Sequence, residues 1–291
     1  MKPKEIPVYR IEEVTIRGNM PSFEVLTLEL AFNQAKRNIV GSHRHDFYES
    51  FLLYSGGGFI SIDFVDYQIS TPQLLFLPPG CVHSWDKSLK ASGLTLRFTT
   101  EFMVSNASRS SFPPELFIFV TIGGSPVIHL NGEQLDKFRF LGMMMESEHS
   151  TTRLNRDEAL RSYLKLWLIE SLRIANEQGL APLEGKGAPL TRRFLSLVEA
   201  NFLINASITD YAELLGVTPN HLCESVRRTI NRSAGEIIRS RILIEAKRLL
   251  RHSDMSVSEI AYHLNFEDPS YFARYFRKYC SITPSIFRNK P

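Results

Sequence analysis

SVSEIAYHLNFEDPSYFARYFRKYCSITPSIFR, running from Ser256 to Arg288, decides how the rest of this chain is read. Ser256 stands three residues before Glu259, the spacing of a capping box, so a helix begins here. Val257, Ile260, Ala261 and Leu264 then recur on one apolar face. Asn265 and Phe266 interrupt that pattern. Asp268-Pro269 opens a second helix, because proline fits a first turn, where its missing N–H costs nothing. Along this helix Phe272, Tyr275, Phe276 and Tyr279 form one stripe. Ser270, Ala273 and Arg274 face out, and Arg277 and Lys278 flank the backbone of whatever lies opposite. A short helix, a tight turn and a cationic second helix are the parts of a helix-turn-helix unit.

Working outward, the same unit recurs upstream, where the chain reads TDYAELLGVTPNHLCESVRRT from Thr209. Tyr211-Ala212 and Leu215-Gly216 align with Ile260-Ala261 and Leu264-Asn265, 49 residues later. Leu222 and Val226 align with Phe272 and Phe276 at an offset of 50, so the second turn is one residue longer. Between the copies, Gly235 to Leu250 keeps helical period, with Ile238, Ile242, Leu243, Ala246, Leu249 and Leu250 inward. Two such units on one rigid connector would reach two major-groove segments on one DNA face.

In these residues the chain resembles the AraC/XylS transcription regulators. The resemblance rests on Arg241, Ala246 and Leu249-Leu250, on Ile260-Ala261, Phe266, Ser270-Tyr271-Phe272 and Phe276-Arg277-Lys278, and on Thr283-Pro284 and Phe287-Arg288. It covers about the last 100 residues. Asn265 and Ser281 stand where the family commonly has glycine, and Val226 where the first reader helix usually carries Phe. Asn tolerates left-handed backbone, so Asn265 still suits the turn. The resemblance implies that Asn220, Cys223 and Glu224 hold base-facing positions in the first reader helix, Thr218–Thr229, with Thr218, His221 and Arg228 near phosphates. It also implies double-stranded DNA and RNA polymerase as partners, and a homodimer.

Composition agrees with a globular chain of one large or two ordinary domains: 291 residues, 22% charged and 43% hydrophobic. The net charge of +3 is unevenly placed. Leu190 to Pro291 hold 15 Lys and Arg against 10 Asp and Glu, and the rest of the chain 19 against 21. That asymmetry favours phosphate contact by the C-terminal part, although solvated helices produce similar excesses. Cys81, Cys223 and Cys280 form no C-x-x-C pair, so neither a disulfide framework nor a zinc ribbon is indicated. No apolar run is long enough for a signal peptide core or a membrane span, and the expectation is a cytoplasmic protein without membrane contact.

Residues 1 to about 130 read as β. Short apolar or alternating runs (Phe23–Leu30, Phe51–Tyr54, Phe59–Phe64, Leu74–Leu77, Leu94–Phe98 and Ile118–Ile122) are separated by turn clusters at Ser55–Gly58, Pro78–Gly80, Pro113-Pro114 and Gly123-Gly124. The period then changes. Glu133–Glu148 and Asn155–Asn176 read as helices, the second with Leu160, Leu164, Trp167, Leu168 and Leu172 on one face. That face suits a dimer seam or the β domain equally. Leu180 to Pro189 has linker composition.

A second concentration of signal lies in SHRHDFYESFLLYSG. His43, His45 and Glu49 spell H-x-H-x3-E, Gly56 follows with six residues between, and Pro78, Gly80 and His83 spell P-x-G-x2-H. In order and spacing these resemble the two motifs of cupin barrels, with Lys87 where the second motif usually ends in Asn. His43 and His45 share one strand face because side chains alternate. Glu49 and His83, from other strands, could converge with them. Three imidazoles and a carboxylate suit Fe, Mn, Ni or Zn. The same positions also suit a hydrogen-bonded network without metal, and His43, His45, Phe47, Glu49, His83 and Trp85, with Tyr48, suit the wall of an effector pocket.

The expected architecture is therefore multi-domain. An all-β cupin-like barrel (1–130) is followed by a helical hairpin suited to dimerisation (131–179), a linker (180–189) and an all-α double helix-turn-helix domain (190–291). The expected function is a sequence-specific transcription regulator governed by a small effector, carbohydrate or aromatic, with no catalytic residues and no required cofactor. A metal-dependent cupin enzyme tethered to a DNA-binding tail, and a DNA-architectural protein with an inert N-terminal domain, are the alternatives.

Overall fold

The computed structural model describes residues 7–15, 22–38, 41–86, 90–103, 116, 118–121, 126–180, 186–204, 207–230 and 232–289. Lys87, Pro113-Pro114, Ile122, Gly123-Gly124 and residues 181–185 of the linker stretch lie outside them. The chain divides into two compact units, Pro7–Pro182 and Leu183–Pro291.

The first unit runs β1 (Val8–Tyr9), α1 (Ile11–Val14), β2 (Phe23–Thr27), α2 (Leu28–Asn38), β3 (Arg44–His45), β4 (Tyr48–Ile62), β5 (Val65–Ser70), β6 (Gln73–Leu77), β7 (His83–Trp85), β8 (Lys90–Phe98), α3 (Thr100–Met103), α4 (Ile118–Thr121), β9 (Val127–His129), α5 (Gly132–His149) and α6 (Arg156–Glu177). β1 and β3 pair in parallel. The other seven strands form one sheet in which β4 is the spine, pairing antiparallel with β5, β6, β7 and β8. The path β2-β8-β4-β6-β9 has two ends, so among the described residues the sheet is open and no closed barrel forms. Helices α5 and α6 back it: the Trp167 indole N–H donates to Ser50 Oγ on β4 at 3.1 Å, and Phe138 meets Trp167 edge-on. The Leu160–Leu168 face therefore packs on the sheet, whereas Leu172 is only half-buried.

Three local expectations are corrected. Leu28–Leu30 belong to α2, not to a strand: the alternation of LTLEL imitates β period, but the stretch beyond Thr27 is rich in straight-chain helix formers, and Thr27 Oγ1 accepts from Leu30 N–H. Ser55–Gly58 is not a turn. It lies inside β4, where the pairing with β8 shifts register between Leu53 and Ser55 and Gly56 adopts φ +98°, as at a bulge. Ile118–Thr121 is one turn of helix, and its Phe119 ring stands edge-on to Tyr48 and Phe76.

The second unit is helical: α7 (Ala188–Asn201), α8 (Ile208–Leu215), α9 (Pro219–Ile230), α10 (Ala234–His252), α11 (Val257–His263), α12 (Pro269–Cys280) and α13 (Pro284–Asn289). Ser256 caps α11 as its spacing predicts, accepting from Glu259 N–H at 3.1 Å while Ser256 N–H donates back to the Glu259 carboxylate. Such a cap contributes about 1 kcal/mol. The α8–α9 turn passes through Gly216 at φ +68° and the α11–α12 turn through Asn265 at φ +63°, so the two copies share one backbone device. Asn265 Nδ2 also donates to Ile204 O, a bond glycine could not make. Ala246, Leu250, Ile260, Ala261, Leu264, Phe272 and Phe276 form the core of the second copy. Tyr279 leaves that stripe. It is partly exposed, lying under the Arg239 guanidinium and accepting its hydrogen bond at 2.9 Å. In the first copy Leu222 and Val226 are fully buried. Beneath α9, Thr191 donates to Thr229, which donates to Ser225 O, so small hydroxyl residues join α7 to α9.

Candidate functional site

Two groups of residues are offered for function, one on each unit. On the helical unit, α9 begins at Pro219 because the Thr218 hydroxyl accepts from His221 N–H, which fixes the entry of the helix. Leu222, Ser225, Val226 and Thr229 face inward. That leaves Thr218, Asn220, His221, Glu224 and Arg228 exposed and Cys223 half-exposed. Arg227 is exposed beside them and was not singled out from sequence, although its place in the Arg227-Arg228 pair was visible. Glu224 and Arg228 form an ion pair at 2.7 Å, tying a base-facing expectation to a phosphate-facing one.

On α12 the Asp268 carboxylate accepts from Ser270 N–H at 2.8 Å and Tyr271 N–H at 3.2 Å, holding the helix start. Phe272 and Phe276 anchor the inner face. Ser270, Arg274, Arg277 and Lys278 are exposed and Ala273 half-exposed, all on the outer side. Arg274 reaches Asp268 only at 3.9 Å, a loose solvated contact. Each copy thus presents one helix with a polar, cation-bearing outer face, and α10 spans the stretch between them.

On the sheet unit, β3, the start of β4 and the start of β7 bring His45, Glu49 and His83 together, with one donor atom from each within 4.8 Å of the others. His43 is buried beside them. It bridges His83 through backbone hydrogen bonds in both directions, and its ring lies 4.2 Å from the His83 ring, yet it stays outside the converging group. The tautomers follow from the partners. Nδ1 of His45 lies 2.7 Å from Phe47 O and Nδ1 of His83 lies 3.3 Å from Cys81 O. A carbonyl can only accept, so both Nδ1 atoms carry the proton and both Nε2 atoms keep a bare lone pair in the neutral rings. Among the described residues these two buried Nε2 atoms make no hydrogen bond, and that of His45 faces Glu49 Oε2 at 3.3 Å.

The other carboxylate oxygen is satisfied. Glu49 Oε1 accepts from Arg97 Nε at 2.8 Å and from Thr95 Oγ1 at 3.2 Å, and Arg97 in turn reaches Glu24 and Val14 O. Sequence reading missed Arg97 and Thr95. Their alternation with Leu94, Leu96 and Phe98 was legible, but it reads as a solvent face until β8 is placed between β2 and β4, with Arg97 opposite both Glu24 and Glu49. Burial alone would raise the Glu49 carboxyl, but the Arg97 charge wins and holds it well below the usual carboxylate range. Burial, then the neighbouring His43 and His45, pushes His83 well below the ordinary imidazole value; burial also lowers His43. His83 is therefore neutral near pH 7.

The aromatic residues expected to line one pocket are separated. Phe47 stacks on His45 and packs with Ile11 and Val14, Tyr48 stacks on Phe98, and Trp85 meets Phe32 and Phe51.

A capped, twice-repeated helix-turn-helix with cationic outer faces defines a DNA-binding protein, and comparison with known proteins places it. A family model described as a helix-turn-helix domain matches residues 211–290. The chain is 33% identical over 91 residues to the HTH-type transcriptional activator AarP of Providencia stuartii, spanning 31% of this chain and 67% of AarP. It is 25% identical over 251 residues to the transcriptional activator RhaS of Enterobacter sp. (strain 638), spanning 84% and 86%. Among solved structures, ToxT from Vibrio cholerae strain SCE256 with bound unsaturated fatty acid is similar at a TM-score of 0.39 and 15% identity, covering 94% of this chain and 97% of ToxT. The chain belongs to the AraC/XylS family of DNA-binding transcription regulators. No helix among the described residues is long and apolar enough to cross a membrane.

Proposed function

We propose that this regulator reads two adjacent DNA half-sites with α9 and α12, and that a small molecule held by the sheet unit sets its occupancy. The observation that carries the reading is the pair of equivalent outer faces on one connector. Asn220 and Glu224 on α9, and Ser270 and Arg274 on α12, are exposed, and Cys223 and Ala273 are half-buried beside them, while their helices are anchored by buried residues. Thr218, His221, Arg228, Arg277 and Lys278 flank them as phosphate contacts. The sheet unit is read as a cupin-like sensor in opened form. Its support is the meeting of His45, Glu49 and His83 from three strands, which simple sheet packing does not require. The domain plan follows: sensor, helical pair at 131–179, linker at 180–189 and reader at 190–291, acting as a homodimer with RNA polymerase as its further partner. Relatives named transcriptional activators support a positive sign of regulation.

The test is selection of bound DNA by the full chain, then footprinting on the selected site with and without carbohydrate and aromatic metabolites. Two protected major-groove segments, and a footprint that changes with one metabolite class, are the expected result. Sequence-independent binding indifferent to every metabolite would overturn the reading in favour of an architectural role.

A further inference from the structure

We infer that His45, Glu49 and His83 form a mononuclear site for a divalent first-row transition metal, bound through Nε2 of each histidine and Oε2 of the carboxylate. Its regulatory meaning rests on the sensor reading above; the binding of metal does not, and is measured without DNA.

The inference starts from what three lone pairs facing one another require. The backbone carbonyls of Phe47 and Cys81 fix the protons of both rings on Nδ1, so Nε2 of His45 and Nε2 of His83 can only accept. Glu49 Oε2 is also an acceptor, and the three residues converge within 4.8 Å. All three are buried, and among the described residues neither Nε2 makes a hydrogen bond. A buried acceptor without a partner is costly. A water molecule has two hydrogens for three acceptors. A second proton on His45 would serve Glu49 and leave His83 bare. A cation serves all three at once.

The surroundings match what a metal needs from its second layer. Ligating histidines usually donate their other ring N–H to a carbonyl, and both do so here. Arg97 and Thr95 hold Oε1, which orients the carboxylate and leaves Oε2 free. Two imidazoles with one carboxylate select Zn, Fe, Co or Ni over Mg and Ca, whose ligands are oxygens. His43, part of the same sequence motif, is not a ligand: its Nδ1 is held on Gly41 O and its ring packs beside His83 and Tyr9. Three protein ligands leave at least one position open to a further oxygen donor.

The experiment uses the full chain, stripped with a chelator, loaded with Co2+ or Zn2+ and desalted. About one metal ion per chain should be retained, with visible ligand-field bands for Co2+ and an X-ray absorption shell for Zn2+ containing imidazole nitrogen. His83→Ala should weaken binding by more than the about 10–100-fold typical of losing a second-layer partner. His43→Ala should leave the stoichiometry unchanged. A folded wild-type chain that retains no metal overturns the inference, as does a shell without imidazole, or a folded His83→Ala chain with wild-type content. Should His83→Ala fail to fold, the absorption shell of the wild type decides alone. Metal bound as expected in a chain whose DNA footprint ignores every metabolite would defeat the sensor reading and leave this site standing.

Discussion

Arg274 and Arg228 carry the same charge on exposed faces of equivalent helices, yet they are differently committed. Arg228 is held by Glu224 at 2.7 Å, one helical turn away, whereas Arg274 touches Asp268 only at 3.9 Å. Exposed pairs of either kind are worth little, so both arginines can turn to DNA, but Arg274 gives up less in doing so. Replacing Arg274 by Ala is expected to cost about 1–3 kcal/mol on the cognate site and to relax preference at one base position. Equilibrium binding to the cognate site and to single-base variants measures both. A loss of equal size on every sequence would make Arg274 a phosphate contact instead.

Among the elements, the α5–α6 pair shows how charge reinforces packing. The Glu170 carboxylate on α6 accepts from Lys137 on α5 at 2.6 Å and from Arg173 on its own helix. Burial alone would raise its pKa, but the hydrogen bonds and charges of Lys137 and Arg173 prevail and lower it. A carboxyl depressed in the folded state adds stability above its unfolded pKa, and loses it as pH falls through the lower folded value. Both cations are more than half exposed, which discounts the gain to about 0.5–1 kcal/mol. Glu170→Gln should therefore lower stability by that amount at pH 7, and the difference from wild type should vanish in acid. Urea unfolding at several pH values reads this directly, and a pH-independent difference would assign the loss to packing.

For the whole molecule, the division at Pro182 and Leu183 makes the reader testable by itself. A Leu183–Pro291 fragment holds both helix-turn-helix copies with their own buried cores around Leu222, Val226, Phe272 and Phe276. It is expected to bind DNA without the sheet unit, protecting two major-groove segments about 10 bp apart centre to centre. Protection of one segment only would leave the α8–α9 copy as scaffold for the other.

The sequence by itself determined most of the reader: the repeat, the Ser256 cap, the turn at Asn265 and the outer face of α12 were legible, while the outer residues of α9 came through the family resemblance and without Arg227. Within each copy the cap, the turn and the outer face depend on neighbours within one or two helical turns, where propensity, capping and period act locally. The metal-like motif was legible only as spacing. Tertiary structure decided that His45, Glu49 and His83 converge while His43 does not, because β3, the start of β4 and β7 meet only through sheet pairing across some 40 residues. It also brought in Arg97, whose place opposite both Glu24 and Glu49 depends on the order of β2, β8 and β4. The same cause hid the open sheet and the helical start at Leu28. Strand order and register are set by distant partners, and alternation in a single segment does not specify them.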